Sequence, residues 1–175
     1  MKAFYNENDP LAAAWLRGLA DSGSITEGTV CDESIERISG AALHGFERVH
    51  FFAGIGGWDY ALKLAGWPAG REVWTGSCPC QPFSGAGKMR GEADERHLWP
   101  EMRRLIGECR PGTLFGEQVA SKLGREWLDG VFADLEAMGY RVAGADLCAA
   151  GVGAPHIRQR LYWVADAELH GRERI

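Results

Sequence analysis

The chain has 175 residues, 46% of them hydrophobic, which is enough for one well-buried core and too little for two. Its formal net charge of −5 argues against generic coating of nucleic acid, since that binding needs an excess of lysine and arginine. No apolar run reaches the roughly 18 residues of a membrane span, and the N-terminus lacks the apolar core of a signal peptide. We therefore expect a single-domain, soluble, cytoplasmic protein.

The first 48 residues predict a strand, a helix and a second strand. Ala3 to Tyr5 forms the first strand, Asp9 is placed to cap the helix with Pro10 at its first position, and Gly23 ends it. An i, i+4, i+8 repeat predicts that the helix buries the apolar face formed by Leu11, Trp15 and Leu19. The stretch "SITEGTVCDESI" follows as a second strand and a polar segment.

From residue 48 onward, apolar runs alternate with amphipathic stretches. "RVHFFAGIGGWDYALKLAGW" predicts a strand ending at Phe52, a glycine turn and a helix. Further strands are predicted at 72–77, 113–117, 140–151 and 160–166, and further helices at 96–110 and 122–139. The apolar side of the last helix is predicted to consist of Leu123, Trp127, Val131 and Leu135. This alternation predicts an α/β domain with a largely parallel sheet.

Chemically capable residues follow several of these strands. They are Glu7, the glycine turn at 54–57, Cys80 and Glu117. Ligands of open α/β sheets bind at the carboxyl ends of the strands, so we expect all four to line one crevice. A glycine turn alone is weak evidence, and this one lacks the Gly-Lys-Ser/Thr of a phosphate-binding loop.

The stretch "TGSCPCQPFSGAGKMRG" leaves three interpretations of Cys78 and Cys80 open: a metal clip, a redox pair, or one nucleophile with a neighbour. A metal site needs two further ligands at suitable spacing, and the other cysteines and the five histidines offer none. Five cysteines in a chain of this kind are expected to stay as thiols.

Four motifs together resemble those of C5-cytosine DNA methyltransferases. In chain order they are "FFAGIGG", "SCPCQPFSGAGKMRG", "GEQVAS" and "GAPHIRQRLYWVA", and the similarity runs from about residue 49 to residue 166. The resemblance implies a Rossmann-like, S-adenosylmethionine-dependent methyltransferase fold with a mostly parallel sheet and helices on both faces. It also decides between the two cysteines in favour of Cys80.

The resemblance implies catalytic roles for four residues. The Cys80 thiolate adds to C6 of a flipped-out cytosine, and C5 then accepts the methyl group. Glu117 matches the residue that bonds or protonates N3, Arg160 the one that reaches O2, and Arg158 one that orders the loop or holds phosphate. Cys78 is expected to pack in the core.

The binding residues are also assigned through the resemblance. The residues implied for S-adenosylmethionine are Glu7, Asn8, Asp32, Phe52, Ala53, Gly54, Ile55, Gly56, Gly57 and Pro79. Those implied for DNA are Gln81, Ser84, Lys88 and Arg90, with no metal. Glu7 matches the acid that binds the ribose of the cofactor, whereas Asp32 on the adenine side is a poor match.

Only 23 residues separate Gly57 from Cys80, where the family places two further strands. We therefore expect a circular permutation in one domain spanning 1–175. Residues 1–48 are the permuted cofactor-binding segment, 49–166 the motif-bearing core and 167–175 a tail.

The family's target-recognition domain and two later motifs have no match in the sequence, so we expect a methyltransferase core that is either minimal and weakly specific or completed by a second polypeptide that supplies DNA recognition. The alternative is a non-catalytic binding module. An unrelated nucleotide-binding protein would require all four motifs to be coincidences.

Overall fold

A computed structural model describes residues 2–79 and 98–167. The strands are β1 (Ala3–Asn6), β2 (Gly28–Cys31), β3 (Arg48–Phe51), β4 (Val73–Gly76), β5 (Thr113–Val119), β6 (Tyr140–Cys148) and β7 (Gln159–Ala167). The helices are α1 (Pro10–Asp21), α2 (Gly57–Leu64), α3 (Trp99–Cys109) and α4 (Lys122–Ala137). Three short 3-10 turns lie at Ile35–Arg37, Gly40–Leu43 and Ala149–Val152.

All seven strands join one sheet in the order β2-β1-β3-β4-β5-β7-β6. Strands β1 to β5 are parallel, and β7 runs antiparallel to both of its neighbours, β5 and β6. The predicted α/β fold with a mostly parallel sheet is confirmed. Because the carboxyl ends of parallel strands lie at one edge, the loops after β1 to β4 meet there.

Strand β1 lies between β2 and β3, although it precedes both in the chain. Its central residue Tyr5 is in register with Val30 on one side and His50 on the other. The front segment, residues 1–48, therefore adds β1 and β2 to the sheet beyond β3 and does not form a separate unit.

Helices cover the sheet on both faces. On one face, α3 and α4 pack on a core that includes Trp74, Leu114 and Trp163. On the other, Leu16 of α1 packs with Tyr5 and Ile25 in a smaller cluster. Within residues 2–79 and 98–167, no helix combines the length and hydropathy needed to cross a membrane.

The predicted buried face of α1 is wrong for Leu11 and Trp15, whereas Leu19 is partly buried and packs against the cluster of Tyr5, Leu16 and Ile25. Leu11 and Trp15 are 83% and 61% exposed, whereas Ala13 and Leu16 are buried. Apolar residues occur all round this helix, so spacing alone did not identify the side that meets the sheet. The predicted start is right, because the Asp9 side chain accepts hydrogen bonds from the backbone N–H groups of Leu11 and Ala12.

Two smaller expectations also change. In α4, Val131 and Leu135 are buried as expected, but Leu123 is exposed because Gly124 and Leu128 face the core instead. Glu117 lies inside β5 and not after it, because pairing with β7 extends that strand to Val119.

Candidate cofactor and catalytic site

A cavity of about 330 Å³ opens at the carboxyl edge of β1 to β4. Each of these four strands contributes through the loop that follows it, and Leu98 adds one side of the wall. The lining residues are Asn6, Glu7, Asn8, Ser34, Ile35, Glu36, Phe52, Pro79 and Leu98. Four residues predicted for the cofactor thus lie in one place: Glu7, Asn8, Phe52 and Pro79.

Glu7 connects the end of β1 to the glycine turn. One oxygen of its carboxylate accepts a hydrogen bond from the backbone N–H of Gly54 at 2.7 Å, and the other accepts from Asp9 N at 3.0 Å. A carboxylate has about four lone-pair sites, so these two bonds leave acceptor capacity on the cavity side. The residue predicted to bind a ribose therefore lies in the cavity wall and contacts the glycine motif directly.

The glycine turn departs from ordinary backbone geometry. Phe52, Gly54 and Gly56 have φ values of 53°, 54° and 78°, all in the left-handed region. Glycine adopts this region without a steric cost, which explains why the turn needs it at 54 and 56. Gly56 is also the N-cap of α2, whose first residue is Gly57. Five residues predicted for the cofactor form this turn but are not among the residues that line the cavity: Ala53, Gly54, Ile55, Gly56 and Gly57.

The β2 side of the cavity is organised by Asn6, which the sequence analysis did not single out. Asn6 is buried, and its amide donates to the carbonyl oxygen of Glu33 at 2.8 Å, holding the segment after β2 against β1. In that segment the Ser34 hydroxyl donates to the Glu36 carboxylate at 3.1 Å.

Asp32, predicted for the adenine side of the cofactor, lies apart from the cavity wall. Its carboxylate pairs with Arg17 at 2.9 Å on the exposed surface of α1, and Asp32 is not a lining residue. Hydrogen bonding to Arg17 lowers the pKa of Asp32. Instead, the cavity is lined on the β2 side by Ser34, Ile35 and Glu36, two to four residues further along the chain. Their location could not be predicted without knowing where β2 ends.

Glu117 and Arg160 form an ion pair. The Nε of Arg160 lies 2.6 Å from a carboxylate oxygen of Glu117, and the two side chains are 18% and 24% exposed. Strand pairing explains the contact: Glu117 is opposite Tyr162 and Arg160 is opposite Val119, so both point to the same face of adjacent strands. Two of the four predicted catalytic residues are therefore in contact. Arg158, just before β7, is exposed.

Trp58 of α2 lies between the cavity loops and this acid–arginine pair. Its indole N–H donates to the hydroxyl of Ser77 at 3.0 Å, in the loop that follows β4. Its ring stacks on Phe115 and meets Tyr162 edge to face, with centroids 6.0 Å apart in both cases. From the sequence, Trp58 was recognisable only as part of an amphipathic helix pattern, and its contacts with Ser77, Phe115 and Tyr162 were not predicted.

Cys78 packs in the core. It is buried, its sulfur lies 4.0 Å from that of Met102, and burial raises the pKa of its thiol to about 12. Cys80, Gln81, Ser84, Lys88 and Arg90 lie outside the described residues, so their predicted roles stay predictions. Within the described ranges, no group of three or more His, Cys, Asp or Glu side chains is placed to hold a metal.

Solved structures with a similar fold include methyltransferases. The crystal structure of S. pombe Dnmt2 methyltransferase matches with a TM-score of 0.58 and 13% identity, over 99% of this chain and 53% of that one. Entamoeba histolytica methyltransferase EhMeth matches with a TM-score of 0.57 and 15% identity, over 99% and 55%. Likeness at this level of identity establishes the fold alone, which is a Rossmann-like α/β fold.

Sequence comparison then defines the family. The protein-family model described as C-5 cytosine-specific DNA methylase matches residues 68–170, which is more than half of the chain. The chain belongs to the C-5 cytosine-specific DNA methylase family.

Curated relatives of the chain include type II methyltransferases. M.AluI of Cellulosimicrobium cellulans is 34% identical over 61% of this chain and 23% of its own length. M.NgoMIV of Neisseria gonorrhoeae is 34% identical over 55% of this chain and 32% of its own. The chain thus spans less than a third of these relatives and about half of the solved ones.

Proposed function

We propose that this chain forms the cofactor-binding and catalytic core of a DNA (cytosine-5)-methyltransferase that uses S-adenosylmethionine. The observation that carries the proposal is the cavity at the carboxyl edge, which brings Glu7 together with the glycine-turn residue Phe52 and with Pro79, the residue before Cys80. Its volume of about 330 Å³ is within the usual range for small-molecule sites.

The lining residues fit S-adenosylmethionine chemically. Glu7 offers carboxylate oxygens to the two ribose hydroxyls, and Phe52 and Leu98 provide apolar walls. On the β2 side, Ser34 and Glu36 would offer acceptors to the amino group of an adenine, and Ile35 would provide an apolar contact for its ring. When bound, the cofactor supplies an activated methyl group. The residues of the chain hold it by its ribose and adenine.

The chemistry on the cytosine is assigned to Cys80, Glu117 and Arg160. The Cys80 thiolate forms a bond to C6, which moves electron density toward N3 and O2 and makes C5 nucleophilic. C5 would then take the methyl group that the cofactor supplies, leaving S-adenosylhomocysteine. Loss of the C5 proton to solvent and expulsion of the Cys80 thiolate from C6 would restore the C5–C6 double bond. Glu117, in its protonated form, would bond or protonate N3, and Arg160 would donate hydrogen bonds to O2.

The Glu117–Arg160 contact supports this division of roles. Nε of Arg160 holds the carboxylate at 2.6 Å, and Nη1 donates to the carbonyl oxygen of Gln159 at 2.8 Å. A guanidinium has five N–H donors in a fixed plane, so these contacts orient the group without exhausting its donors. The pair presents one acidic and one basic group side by side, as recognition of N3 and O2 on one base edge requires.

For DNA binding, we propose that the cytosine is flipped out of the duplex, because C6 is inaccessible inside the stack. Gln81, Ser84, Lys88 and Arg90 are proposed to contact the DNA, and Arg158, which is exposed beside β7, is proposed to contact phosphate or to order the loop.

The order of the sheet supports the proposed circular permutation. Strands β1 and β2 precede β3 in the chain but continue the sheet from it, where the resemblance requires the strands missing between Gly57 and Cys80. The hydrogen bond from Gly54 N to Glu7 joins the two chain segments at the cavity. We therefore propose that residues 1–48 are the relocated part of the cofactor-binding half within a single domain.

A second polypeptide is proposed to supply target recognition. The outer face of β5, β7 and β6 carries an apolar depression lined by Phe115, Leu147, Tyr162 and Val164, next to Trp58. Leu147 and Tyr162 are exposed there, and contiguous apolar surface of this kind is typical of interaction sites. The depression lies on the same sheet face as the Glu117–Arg160 pair, because Phe115 and Glu117 are two residues apart in β5.

The direct test is methyl transfer and covalent capture. The chain is incubated with tritiated S-adenosylmethionine and cytosine-containing DNA, with and without the product of the neighbouring gene. In parallel, it is trapped on DNA containing 5-fluorocytosine. We expect label in the DNA and an adduct that Cys80→Ser abolishes and Cys78→Ser retains. No label and no adduct under either condition would favour the non-catalytic binding module, and equal loss in both variants would mean that the nucleophile is misassigned.

A further inference from the structure

A group of buried polar side chains lies beneath the glycine turn. Asp59, in the first turn of α2, is completely buried, and Arg48 and His50 of β3 are 2% and 1% exposed. Oδ1 of Asp59 lies 2.8 Å from Nη1 of Arg48, and its Oδ2 accepts a hydrogen bond from the backbone N–H of Thr26 at 2.6 Å. Burying an isolated carboxylate is unfavourable, so Asp59 is stable here only because of these partners.

His50 completes the surroundings of Asp59 as a neutral ring. Nε2 of His50 lies 3.3 Å from Asp59 Oδ1, outside regular hydrogen-bond geometry, and Nδ1 lies 2.8 Å from the hydroxyl of Thr75. Burial lowers the pKa of His50. Burial alone would raise the pKa of Asp59, but the interactions with His50, Arg48 and Thr26 outweigh it and lower that pKa. The charged pair is therefore Arg48 with Asp59.

Thr26 is held at each of its polar groups. Its N–H bonds to Asp59, its hydroxyl oxygen accepts from Arg48 Nη1 at 3.1 Å, and its carbonyl oxygen accepts from the hydroxyl of Tyr5 at 2.7 Å. Thr26 and Tyr5 belong to the front segment that carries Glu7, whereas Asp59 lies two residues after the glycine turn. Two side chains thus link the front segment and the glycine turn, Asp59 to Thr26 and Glu7 to Gly54, in addition to the backbone hydrogen bond from Ala53 N to the carbonyl oxygen of Asn6 at 3.0 Å.

We propose that Asp59 is a positioning residue for cofactor binding, which sets the glycine turn at the distance from Glu7 that the cofactor site requires. The proposal rests on the proposed function, because it presupposes that Glu7 and the turn bind S-adenosylmethionine. The sequence order gives it a physical reason: residues 1–48 reach this site from the far side of β3. Backbone pairing of β1 with β3 and the bond from Ala53 N to Asn6 O set the register of the strands, and the side chains of Asp59 and Glu7 join the two segments outside the paired residues. Arg48 supports Asp59 by neutralising its charge in the core.

The test is a double-mutant cycle of S-adenosylhomocysteine binding in the full chain. Asp59→Asn keeps the shape of the side chain and removes its charge, and Glu7→Gln does the same at the cavity. If Asp59 acts by positioning the turn relative to Glu7, each variant weakens binding about tenfold and the double variant little more than either alone. Leu135→Ala, on the buried side of α4, is the control: it lowers the melting temperature but leaves the dissociation constant of the folded protein unchanged.

Amide exchange at Gly54, followed by NMR in the protein without ligand, makes the outcome independent of the proposed function. Asp59→Asn should speed exchange of the Gly54 amide well beyond the change in global stability, whereas Leu135→Ala should change it only in step with global stability. Failure of the wild type to bind S-adenosylhomocysteine would refute the proposed cofactor, and the Gly54 exchange would still decide on positioning. Additive losses in the cycle, or unchanged relative protection of Gly54 in Asp59→Asn, would overturn the role of Asp59.

Discussion

Replacing Arg48 by methionine should strongly destabilise the protein. The substitution keeps an unbranched side chain of similar length but removes the charge that faces Asp59 at 2.8 Å. Asp59 then stays completely buried with only the Thr26 N–H and the longer contact from His50. Breaking a buried ion pair by removing one partner costs about 3–5 kcal/mol, because the other charge is left uncompensated.

The expected change is large relative to the stability of an ordinary domain. For a chain of this size, about 3–5 kcal/mol corresponds to a fall of roughly 6–20 °C in the melting temperature. The assay is urea unfolding followed by tryptophan fluorescence and circular dichroism, with the slope m unchanged if only the native state is affected.

Arg17→Met provides the matched control, since Arg17 forms its ion pair with Asp32 at 2.9 Å where the side chains are 47% and 54% exposed. An exposed pair contributes about 1 kcal/mol or less, so this variant should be nearly as stable as the wild type. The double variant Arg48→Met/Asp59→Leu should regain part of the loss, because no buried charge is left. Equal, small effects of Arg48→Met and Arg17→Met would refute the reasoning.

Three further outcomes follow from the packing and the titrating groups. Gly116→Ala should destabilise by about 3 kcal/mol, since a Cβ there would lie 2.2 Å from the ring of Trp163, whereas Gly107→Ala, with nothing within 4 Å, should stabilise α3 by about 0.5–1 kcal/mol in thermal melts. Cys78 should remain unmodified by iodoacetamide at pH 8 in peptide mapping, because burial raises the pKa of its thiol to about 12; rapid labelling would contradict its place in the core. The folded-state pKa of Asp59 is lowered, so its contribution is present above the unfolded value near 3.8 and is lost as the pH falls below it. Urea unfolding between pH 5 and pH 3 should therefore show a steeper loss of stability in the wild type than in Asp59→Asn, and parallel slopes would count against this assignment.

The elements that sequence reasoning identified share a clear local signal. Strand β3 and helix α2 were recognisable because an apolar run, a group of glycines and an amphipathic stretch follow one another in the sequence. In the structure, two of these glycines, Gly54 and Gly56, have left-handed backbone conformations. The N-cap at Asp9 was equally local. The packing side of α1 was not, because Leu11, Ala13, Trp15 and Leu16 are all apolar and only the position of the sheet decides which of them are buried.

The candidate site divides in the same way. Glu7 was predictable because it directly follows a strand, and it lines the cavity. Asp32 does not line the cavity, and the end of β2 had to be known before Ser34 could be placed in the wall. The contact of Asp59 with Thr26 joins residues 33 positions apart, and no sequence pattern connects them.

The most direct measurement of the central claim is isothermal titration of S-adenosylhomocysteine into the full chain. Glu7→Ala removes charge-assisted hydrogen bonds, each contributing about 1.5–3 kcal/mol, so it should weaken binding roughly 10- to 100-fold. Glu27→Ala makes the same change of charge at an exposed residue outside the cavity wall and should bind like the wild type. No binding by the wild type, or equal affinities of wild type and Glu7→Ala, would contradict a cofactor site assembled between the front segment and the glycine turn.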